Sequence, residues 1–499
     1  MNDTLLTPPA PATPRINGAR IVGARPGSPF LFRIPTTGER PMRFAAAGLP
    51  DGLELDAAAG IIRGATTCAG EHRVTLSARN HLGEATSELR IRIGDAICLT
   101  PPMGWNSWYC HSELVSEQAI RDTARALVGT GLADHGWTYV NIDDCWQGVR
   151  GGPDLAIQPN ERFTDMKGLC DDLHALGLKA GIYSTPWMGT YAGFIGGSAP
   201  DETGDSSAFH LPETERLQPH QFFGRYPGSI ERGLDRVGTW FFDRDARQWA
   251  EWGFDYVKVD WNPNDVPTTR RIHDDLRRCP RDIVLSLSNR APFENAEGLA
   301  RYANCWRTTG DINDSWESIS KIGFAQLPWQ RFQRPGHWND PDMLQVGRIG
   351  TPNRKNTQFN PTRLTRDEQV TQMSLWCLLS APLLLSCDIA SLDAFTLSLL
   401  TNDEVIAINQ DPAAQPARQF VPDDTAQIWT KRLEDGATAL GLFNLGDAPR
   451  DVTAEWAALG LDAPRAVRDL WRQQDLGAFP DAFTARVPAH GVVLVKTKG

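Results

Sequence analysis

Lys258 and Asp260 stand two positions apart at the end of a short apolar run, in residues 256–262, Tyr-Val-Lys-Val-Asp-Trp-Asn. Side chains two residues apart on a strand point the same way, so the pattern predicts an ammonium and a carboxylate facing one surface together. In an α/β barrel the carboxyl end of a strand is the catalytic face. The ammonium is expected to lower the pKa of the carboxylate and keep it ionised at pH 7, as a nucleophile requires. A purely structural Lys–Asp pair fits the stretch equally well.

Further polar and aromatic side chains fall where other strands are predicted to end. Carboxylates accept hydrogen bonds from hydroxyls and indole rings cover the apolar face of a sugar, so such a cup favours a neutral sugar as ligand. The 17 Trp residues agree with this interpretation, although large aromatics also pack ordinary cores. The glycine-rich residues 347–350 lack the Lys-Ser/Thr of a phosphate-binding loop. The predicted cup comprises Trp105, Trp108, Asp143, Asp144, Tyr183, Lys258, Asp260, Ser288, Arg307, Asp311, Asp340 and Asp342.

A pair of carboxylates on two strands is what glycoside hydrolysis needs, because one attacks the anomeric carbon while the other gives and then takes a proton. Asp260 is the candidate nucleophile, and Asp311, two predicted strands later, is the candidate acid/base. Repulsion from Asp260 is expected to raise the pKa of Asp311 and help it start protonated. A sugar-binding barrel without turnover stays an alternative. A Schiff-base aldolase using Lys258 is disfavoured, because Asp260 would raise the pKa that such a lysine must have lowered.

The elements that position these residues alternate strand and helix over about 300 residues, which predicts a parallel sheet closed by helices. Eight strand-like runs, the first at residues 103–108, favour a (β/α)8 TIM barrel. An open doubly wound sheet is the second choice, but no G-x-G-x-x-G follows the first strand.

Shorter alternating runs separated by turn signals lie on both sides of this region and predict two β-sandwiches. We therefore divide the chain into a flexible leader at 1–15, an Ig-like module at 16–95, the barrel at 96–411 and a C-terminal antiparallel β-sandwich at 412–499. The module resembles the immunoglobulin-like modules of bacterial surface and carbohydrate enzymes, and a spacer or docking role is the default for it.

The net charge of −11 argues against nucleic acid as a partner. No run of about 18 apolar residues predicts a membrane span, and the first residues lack the pattern of a signal peptide. A cytoplasmic location is therefore expected, or a periplasmic or secreted one if a leader preceded this sequence. Nine scattered Cys without a CxxC pair predict no zinc site, and we expect no cofactor. The sequence leaves a homo-oligomer open.

Six motifs follow one another at residues 101–108, 141–146, 258–260, 306–316, 336–344 and 405–412. Their types and order resemble glycoside hydrolase family 27, the α-galactosidases and α-N-acetylgalactosaminidases. The resemblance implies release of terminal α-D-galactosyl residues from an oligosaccharide or glycoside by retaining double displacement. It implies Asp260 as nucleophile and Asp311 as acid/base. It also implies contacts of Asp143 and Asp144 with the 4- and 6-hydroxyls, of Trp108 with the sugar face, of Lys258 with a hydroxyl, of Arg307 near the 2-position, and Asp342 and Met343 in the pocket wall.

Three features bear on which substrate is preferred and on the thiols. Ser288 stands where the family's α-galactosidases carry a Glu, and with Ala291 it resembles the pattern that admits a 2-acetamido group, while Arg290 departs from that pattern. The loop at 184–240 is longer than the family leads one to expect and is predicted to shape a further subsite. A β-L-arabinopyranosidase is a third option, although the Asp143–Asp144 pair favours galactose. The resemblance also implies a disulfide between Cys110 and Cys145.

Overall fold

Eight apolar runs of the sequence form one sheet of parallel strands in the computed structural model, which describes residues 6–205, 236–351 and 358–499. All eight predicted strands are present, each within a few residues of its expected bounds. They are β1 (Met103–Asn106), β2 (Tyr139–Asn141), β3 (Lys179–Ser184), β4 (Tyr256–Asp260), β5 (Val284–Ser288), β6 (Cys305–Arg307), β7 (Trp338–Asp340) and β8 (Leu383–Leu385).

The sheet closes into a barrel. Consecutive strands pair from β1 to β7, and β8 pairs with β1. Between β7 and β8 the ring is completed just beyond β7, where Leu344 forms a parallel bridge with Leu385 and its amide donates to the carbonyl oxygen of Leu384 at 2.9 Å. The (β/α)8 prediction is therefore confirmed, and the open doubly wound alternative is wrong.

The helices begin at the capping residues that their sequences provide. Ser116 accepts from the amide of Ala119, and Thr365 forms a capping box with Glu368. The principal helices are Glu117–Gly129, Met166–Ala175, Phe242–Trp252, Val266–Arg278, Ala296–Tyr302, Trp316–Gly323, Arg366–Leu378, Ala394–Leu400 and Asp403–Asn409. No helix in the described ranges is long and apolar enough to cross a bilayer.

The N-terminal module is a two-layer β-sandwich around its own apolar core, as predicted. A four-stranded sheet orders its strands as Ile21–Ala24, Gly83–Ile93, Gly70–Asn80 and Arg43–Ala47. A three-stranded sheet orders Phe30–Arg33, Ile61–Gly64 and Leu53–Asp56, and Arg15–Ile16 pairs with Thr36–Thr37.

The module is fastened to the amino-terminal side of the barrel, away from the strand ends that carry the cup. Arg25 pairs with Asp282, just before β5, through both its amide and its guanidinium. The same guanidinium donates to the carbonyl oxygens of Arg277, Cys279 and Arg281. These contacts fix the module against the connection between β4 and β5.

The expectation of a flexible leader at 1–15 is wrong for its described part. Thr7 is buried, and its hydroxyl donates to the carbonyl oxygen of Ser398 at 2.6 Å. The same hydroxyl accepts from the side-chain amide of Asn402. The carbonyl oxygen of Ala12 accepts from the amide of Glu39 in the module. Local composition could not reveal these contacts, because their partners lie on the module and on helices far along the chain.

The C-terminal domain confirms the second predicted β-sandwich. Its six-stranded sheet orders the strands as Arg418–Asp423, Ala426–Arg432, Thr438–Asn444, Val492–Lys498, Arg465–Asp469 and Gln474–Phe479, and Arg450–Glu455 pairs with Ala482–Val487. Strands Ala426–Arg432 and Thr438–Asn444 form a hairpin around the Asp435-Gly436 turn. Helix Arg366–Leu378 packs between this sheet and the barrel, and every residue from Glu368 to Leu378 is buried, as a helix covered on all sides requires.

Candidate active site

A small pocket opens at the carboxyl ends of the barrel strands and encloses about 20 Å³. Eight of the twelve residues of the predicted cup line it together, although they come from five different strands or strand ends. The lining residues are Trp108, Tyr109, Asp143, Asp144, Tyr183, Tyr191, Lys258, Asp260, Arg307, Asp311 and Met343.

Asp260, the last residue of β4, is a buried acid with one oxygen that accepts no hydrogen bond from the described protein. The hydroxyl of Tyr183 donates to Oδ2 at 3.2 Å, whereas Oδ1 is buried and has no hydrogen-bond partner in the described protein. The pKa of Asp260 is raised to about 7, mainly by burial and in smaller part by the charge of Asp311, while Lys258 acts in the opposite direction. The expected low pKa is therefore wrong, because desolvation outweighs the ammonium.

Lys258 and Asp260 do line one pocket, but the ammonium forms its ion pair elsewhere. Nζ of Lys258 lies 2.8 Å from Oδ2 of Asp143, and it stands 5.4 Å from the centre of the Tyr183 ring. The register explains the arrangement, because Tyr183 and Lys258 are direct neighbours across β3 and β4. The amide of Asn106 donates to the same oxygen of Asp143 at 2.8 Å.

Asp143 and Asp144, which follow β2, contribute two further carboxylates to the pocket lining. The amide of Asp144 donates to Oδ1 of Asp143 at 2.9 Å. Asp144 itself accepts from the amide of Cys145 on Oδ1 at 2.8 Å and from the amide of Ala192 on Oδ2 at 3.1 Å. Burial raises the pKa of Asp144 to about 6, although hydrogen bonds from Thr190 and Ala192 lower it.

Asp311 is the exposed member of the acid pair, with a third of its side chain open to solvent. Arg307, at the end of β6, holds it at 3.1 Å and is itself held by Oδ2 of Asp342 at 2.7 Å. That oxygen also accepts from the amide of Ile312, which follows Asp311 in the chain. Asp342 therefore fixes both the arginine and the segment that carries Asp311.

Four residues of the predicted cup do not line the pocket. Asp340, the last residue of β7, is buried, and its Oδ1 accepts from the amide of Asp342 at 2.8 Å. Trp105 is fully buried, and its indole N–H donates to the carbonyl oxygen of Cys387, so it packs in the barrel core. Ser288 is buried beside Asp260 in the sheet register, where its carbonyl oxygen accepts from the amide of Trp261. Asp342 lies one layer behind Arg307. Their positions near strand ends were predicted, but the sequence did not show that their side chains would lie outside the pocket lining.

Two aromatic residues in the lining were not assigned to the cup from sequence. Tyr109 follows Trp108 directly, and its hydroxyl donates to the carbonyl oxygen of Ile312 at 3.0 Å. Tyr191 lies in the 184–240 loop, for which the sequence predicts a further subsite without identifying the residues that form it. Of the other aromatic residues of this loop, Phe222, Phe223 and Tyr226 lie outside the described residues. A tyrosine next to a strand-end tryptophan was the signal that could have identified Tyr109.

All nine cysteines carry free thiols, so the expected Cys110–Cys145 disulfide is absent. Both residues are buried, and burial raises the pKa of each thiol well above its ordinary value. Within the described ranges no group of three or more His, Cys, Asp and Glu side chains is arranged to hold a metal ion.

The arrangement combines a buried carboxylate that has one unpartnered oxygen with a second, partly exposed carboxylate that an arginine holds. Between them lies a cup of hydrogen-bond acceptors, one ammonium and aromatic rings. A buried oxygen without a partner carries a desolvation cost, which a reacting electrophile would remove. The pair can therefore supply one nucleophile and one proton carrier to a polyhydroxylated substrate.

Comparison with known proteins places each domain. Residues 100–218 and 220–411 match the α-galactosidase A family, 423–497 match the α-galactosidase C-terminal β-sandwich domain, and 13–93 match a family of Ig domains. "Alpha-galactosidase 2" of Arabidopsis thaliana is 32% identical over 80% of this chain and 90% of its own length.

Two solved structures are informative. A Bacteroides fragilis protein assigned as an α-galactosidase is 30% identical, with a TM-score of 0.83 over 98% of both chains. A β-L-arabinopyranosidase from Geobacillus stearothermophilus, solved with arabinose, is 27% identical, with a TM-score of 0.66 over 80% of this chain and 97% of its own.

Proposed function

From the premise that this chain belongs to the α-galactosidase A family of glycoside hydrolases, we propose that it releases terminal α-D-galactosyl residues with retention of anomeric configuration. Asp260 is the nucleophile and Asp311 the acid/base. The observation that carries the proposal is Oδ1 of Asp260, a buried carboxylate oxygen without a hydrogen-bond partner in the described protein, within the same pocket as Asp311.

In the first step the ionised Asp260 attacks the anomeric carbon, and the bond to the departing oxygen breaks as Asp311 gives that oxygen its proton. A covalent β-glycosyl ester on Asp260 results. In the second step Asp311 takes a proton from water, the water oxygen attacks the same carbon, and the ester bond breaks. The product is the α-anomer of the free sugar, and both acids return to their starting states.

The partial solvent exposure of Asp311 suits this exchange, because its partner must be first a leaving group and then a water molecule. Arg307 holds the carboxylate at 3.1 Å, so the acid can turn toward either partner without losing its anchor. The hydroxyl of Tyr183 at 3.2 Å from Oδ2 of Asp260 restricts the rotation of the nucleophile and leaves Oδ1 as the attacking atom.

The remaining lining groups hold the sugar. Asp143 and Asp144 supply acceptors for hydroxyls, and Lys258 supplies a donor beside Asp143. Trp108 offers an indole face to the apolar side of the ring. Each ionised acid has about four lone-pair sites. Asp143 and Asp144 each already accept from three protein donors, so about one site on each stays available to a hydroxyl.

Two alternatives share this scaffold. Ser288 and Ala291 are small and buried, which favours an α-N-acetylgalactosaminidase, while the Geobacillus relative favours a β-L-arabinopyranosidase. A binding protein without turnover is less well supported, because it would keep the cost of an unpartnered buried oxygen without using it.

The decisive experiment compares 4-nitrophenyl α-D-galactoside, α-N-acetyl-D-galactosaminide and β-L-arabinopyranoside, and follows the first product anomer by proton NMR. We expect the galactoside to be cleaved and α-galactose to appear before mutarotation. Appearance of β-galactose first would replace the double displacement by single displacement, and failure to cleave any of the three would remove the assigned glycones.

A further inference from the structure

The segment after β3 closes the pocket at the side of Asp143 and Asp144, and it does so with Tyr191. Tyr191 is the one lining residue contributed by the described part of the 184–240 loop. Every other lining residue comes from a barrel strand or from the turn directly beyond one. Loop positions are where specificity is set on this fold, so Tyr191 is a candidate for that role.

Tyr191 sits at the tip of a short, closed turn. The amide of Thr190 donates to the carbonyl oxygen of Phe194 at 2.8 Å, and the amide of Gly193 donates back to Thr190 at 3.0 Å. Gly193 has a φ of +86°, which glycine adopts without strain. Phe194 is fully buried and anchors the turn in the barrel core.

The ring is held as firmly as its backbone. Trp187, itself almost fully buried, packs edge-on against Tyr191 with ring centres 5.3 Å apart. On the other side the amide of Ala192 donates to Oδ2 of Asp144 at 3.1 Å, and Thr190 hydrogen-bonds the same carboxylate. Tyr191 is therefore attached through both of its neighbours to an acid of the cup.

The position of this wall relative to a bound pyranose follows from ring geometry. Carbon 4 lies across the ring from carbon 1, and the substituent on carbon 5 projects beside it. With carbon 1 at Asp260, these groups would meet Asp143 and Asp144, the two acids that the family resemblance assigns to the 4- and 6-hydroxyls. Tyr191 lies in the lining of the pocket beside Asp144, to which its neighbours Thr190 and Ala192 are hydrogen-bonded.

Asp144 has little remaining capacity to accept a hydrogen bond from a bulkier group at this point. Its Oδ1 already accepts from Cys145, and its Oδ2 accepts from Ala192. A hydroxymethyl group on carbon 5 would have to press against a fixed ring and find an acceptor that is largely occupied. A pentopyranoside of the same configuration, which carries only hydrogen there, meets neither obstacle.

Resting on the glycosidase function above, we propose that Tyr191 limits the size of the carbon-5 substituent that the pocket accepts on the glycone. The tyrosine ring disfavours the hydroxymethyl group of α-D-galactosides relative to β-L-arabinopyranosides, which are galactosides without that group. One such group in a shaped pocket alters kcat/KM by roughly 10- to 200-fold, so the effect of the ring is measurable.

The test is the ratio of kcat/KM for 4-nitrophenyl α-D-galactoside to that for the β-L-arabinopyranoside. We expect Tyr191→Ala to raise this ratio by about tenfold or more, and Tyr191→Leu to raise it less. Tyr191→Phe is the matched control, and because it keeps the ring it should leave the ratio within about twofold. Inhibition by free D-galactose and L-arabinose should shift in the same direction, independently of turnover.

An unchanged ratio in Tyr191→Ala, in a variant whose thermal unfolding matches the wild type, would overturn the assignment. An equal change in Tyr191→Phe would overturn it too, since the hydroxyl would then be responsible. If the wild type cleaves both glycosides and Asp260→Asn cleaves neither, the catalytic proposal stands whatever Tyr191 does. If the wild type cleaves neither, the catalytic proposal fails first.

Discussion

Nζ of Lys258 lies 2.8 Å from Oδ2 of Asp143, and the ion pair it forms is not with Asp260, two residues along the same strand. Lys258 nevertheless lowers the pKa of Asp260, against the larger effect of burial. One ammonium thus serves two acids, holding Asp143 by contact and keeping Asp260 closer to ionisation through space.

Replacement of Lys258 by Met is therefore expected to move the pH profile. Asp260 must be ionised to attack, so kcat/KM should fall as the pH drops through the pKa of about 7. Without the ammonium that pKa rises, and the acid limb should move upward by about one pH unit or more. Lys258→Arg keeps the charge and should keep the limb near its original place. A Lys258→Met profile with lower activity but an unmoved limb would assign Lys258 to substrate binding alone.

Asp260→Asn should remove turnover by a factor of at least about 10⁴, as loss of a nucleophile does. It should also stabilise the fold at alkaline pH. The folded-state pKa of about 7 lies above the unfolded value of 3.8. In the wild type, the contribution of this group to the free energy of unfolding is therefore full below pH 4 and is lost as the pH rises through 7.

The neutral amide avoids that loss. The difference between the two pKa values corresponds to at most roughly 4 kcal/mol, and the expected result is a Tm several degrees higher for Asp260→Asn at pH 8, with little gain at pH 4. Calorimetry at the two pH values measures it. Equal Tm differences at both would mean that the effect has another cause than ionisation.

The sequence predicted the eight barrel strands because each is a buried apolar run that ends in polar residues, as in residues 256–260. It also predicted which strand ends meet, since carboxyl ends of parallel strands share one face. It did not predict how charges divide among neighbours. Lys258 is closer to Asp260 in sequence, but the register beside Tyr183 directs its ammonium toward Asp143.

Side-chain direction was the second limit. Trp105 and Trp108 belong to one motif, yet the first lies in the core and only the second lines the pocket. Tyr191 was hidden in a long loop, because its place depends on a carboxylate 47 positions earlier, at Asp144. The burial of Thr7 against a helix near residue 398 is of the same kind. Such contacts are set by the tertiary fold, which no local pattern encodes.

Asp311→Asn should affect substrates according to their leaving groups. Departure of a sugar alcohol needs a proton, whereas 2,4-dinitrophenolate leaves without one. We expect kcat/KM to fall about 10²- to 10⁴-fold on a galactosyl disaccharide and by less than about tenfold on the dinitrophenyl galactoside. Arg307→Gln should show the same pattern more weakly, because it frees Asp311 without removing it. An equal fall on both substrates would assign Asp311 to binding or structure.

The Ig-like module is expected to contribute to stability without contributing to catalysis. Arg25 makes an ion pair with Asp282 in which both side chains are mostly buried, and three further hydrogen bonds to the barrel. Arg25→Ala leaves the Asp282 carboxylate and three carbonyl groups without that partner, which typically costs about 3–5 kcal/mol for a buried pair. Thermal unfolding should show a lower Tm, while kcat/KM stays within about twofold.

The matched control is Arg43→Ala, since Arg43 lies on an exposed position of a module strand and surface changes of this kind stay within about 0.5 kcal/mol. A lower Tm in Arg25→Ala but not in Arg43→Ala would assign the effect to the junction between module and barrel rather than to the module's own fold. The arginine contacts the connection between β4 and β5, on the side of the barrel away from the pocket. A large fall in kcat/KM without any fall in Tm would therefore contradict a purely structural junction, and would mean that the module acts on the strand that carries Asp260.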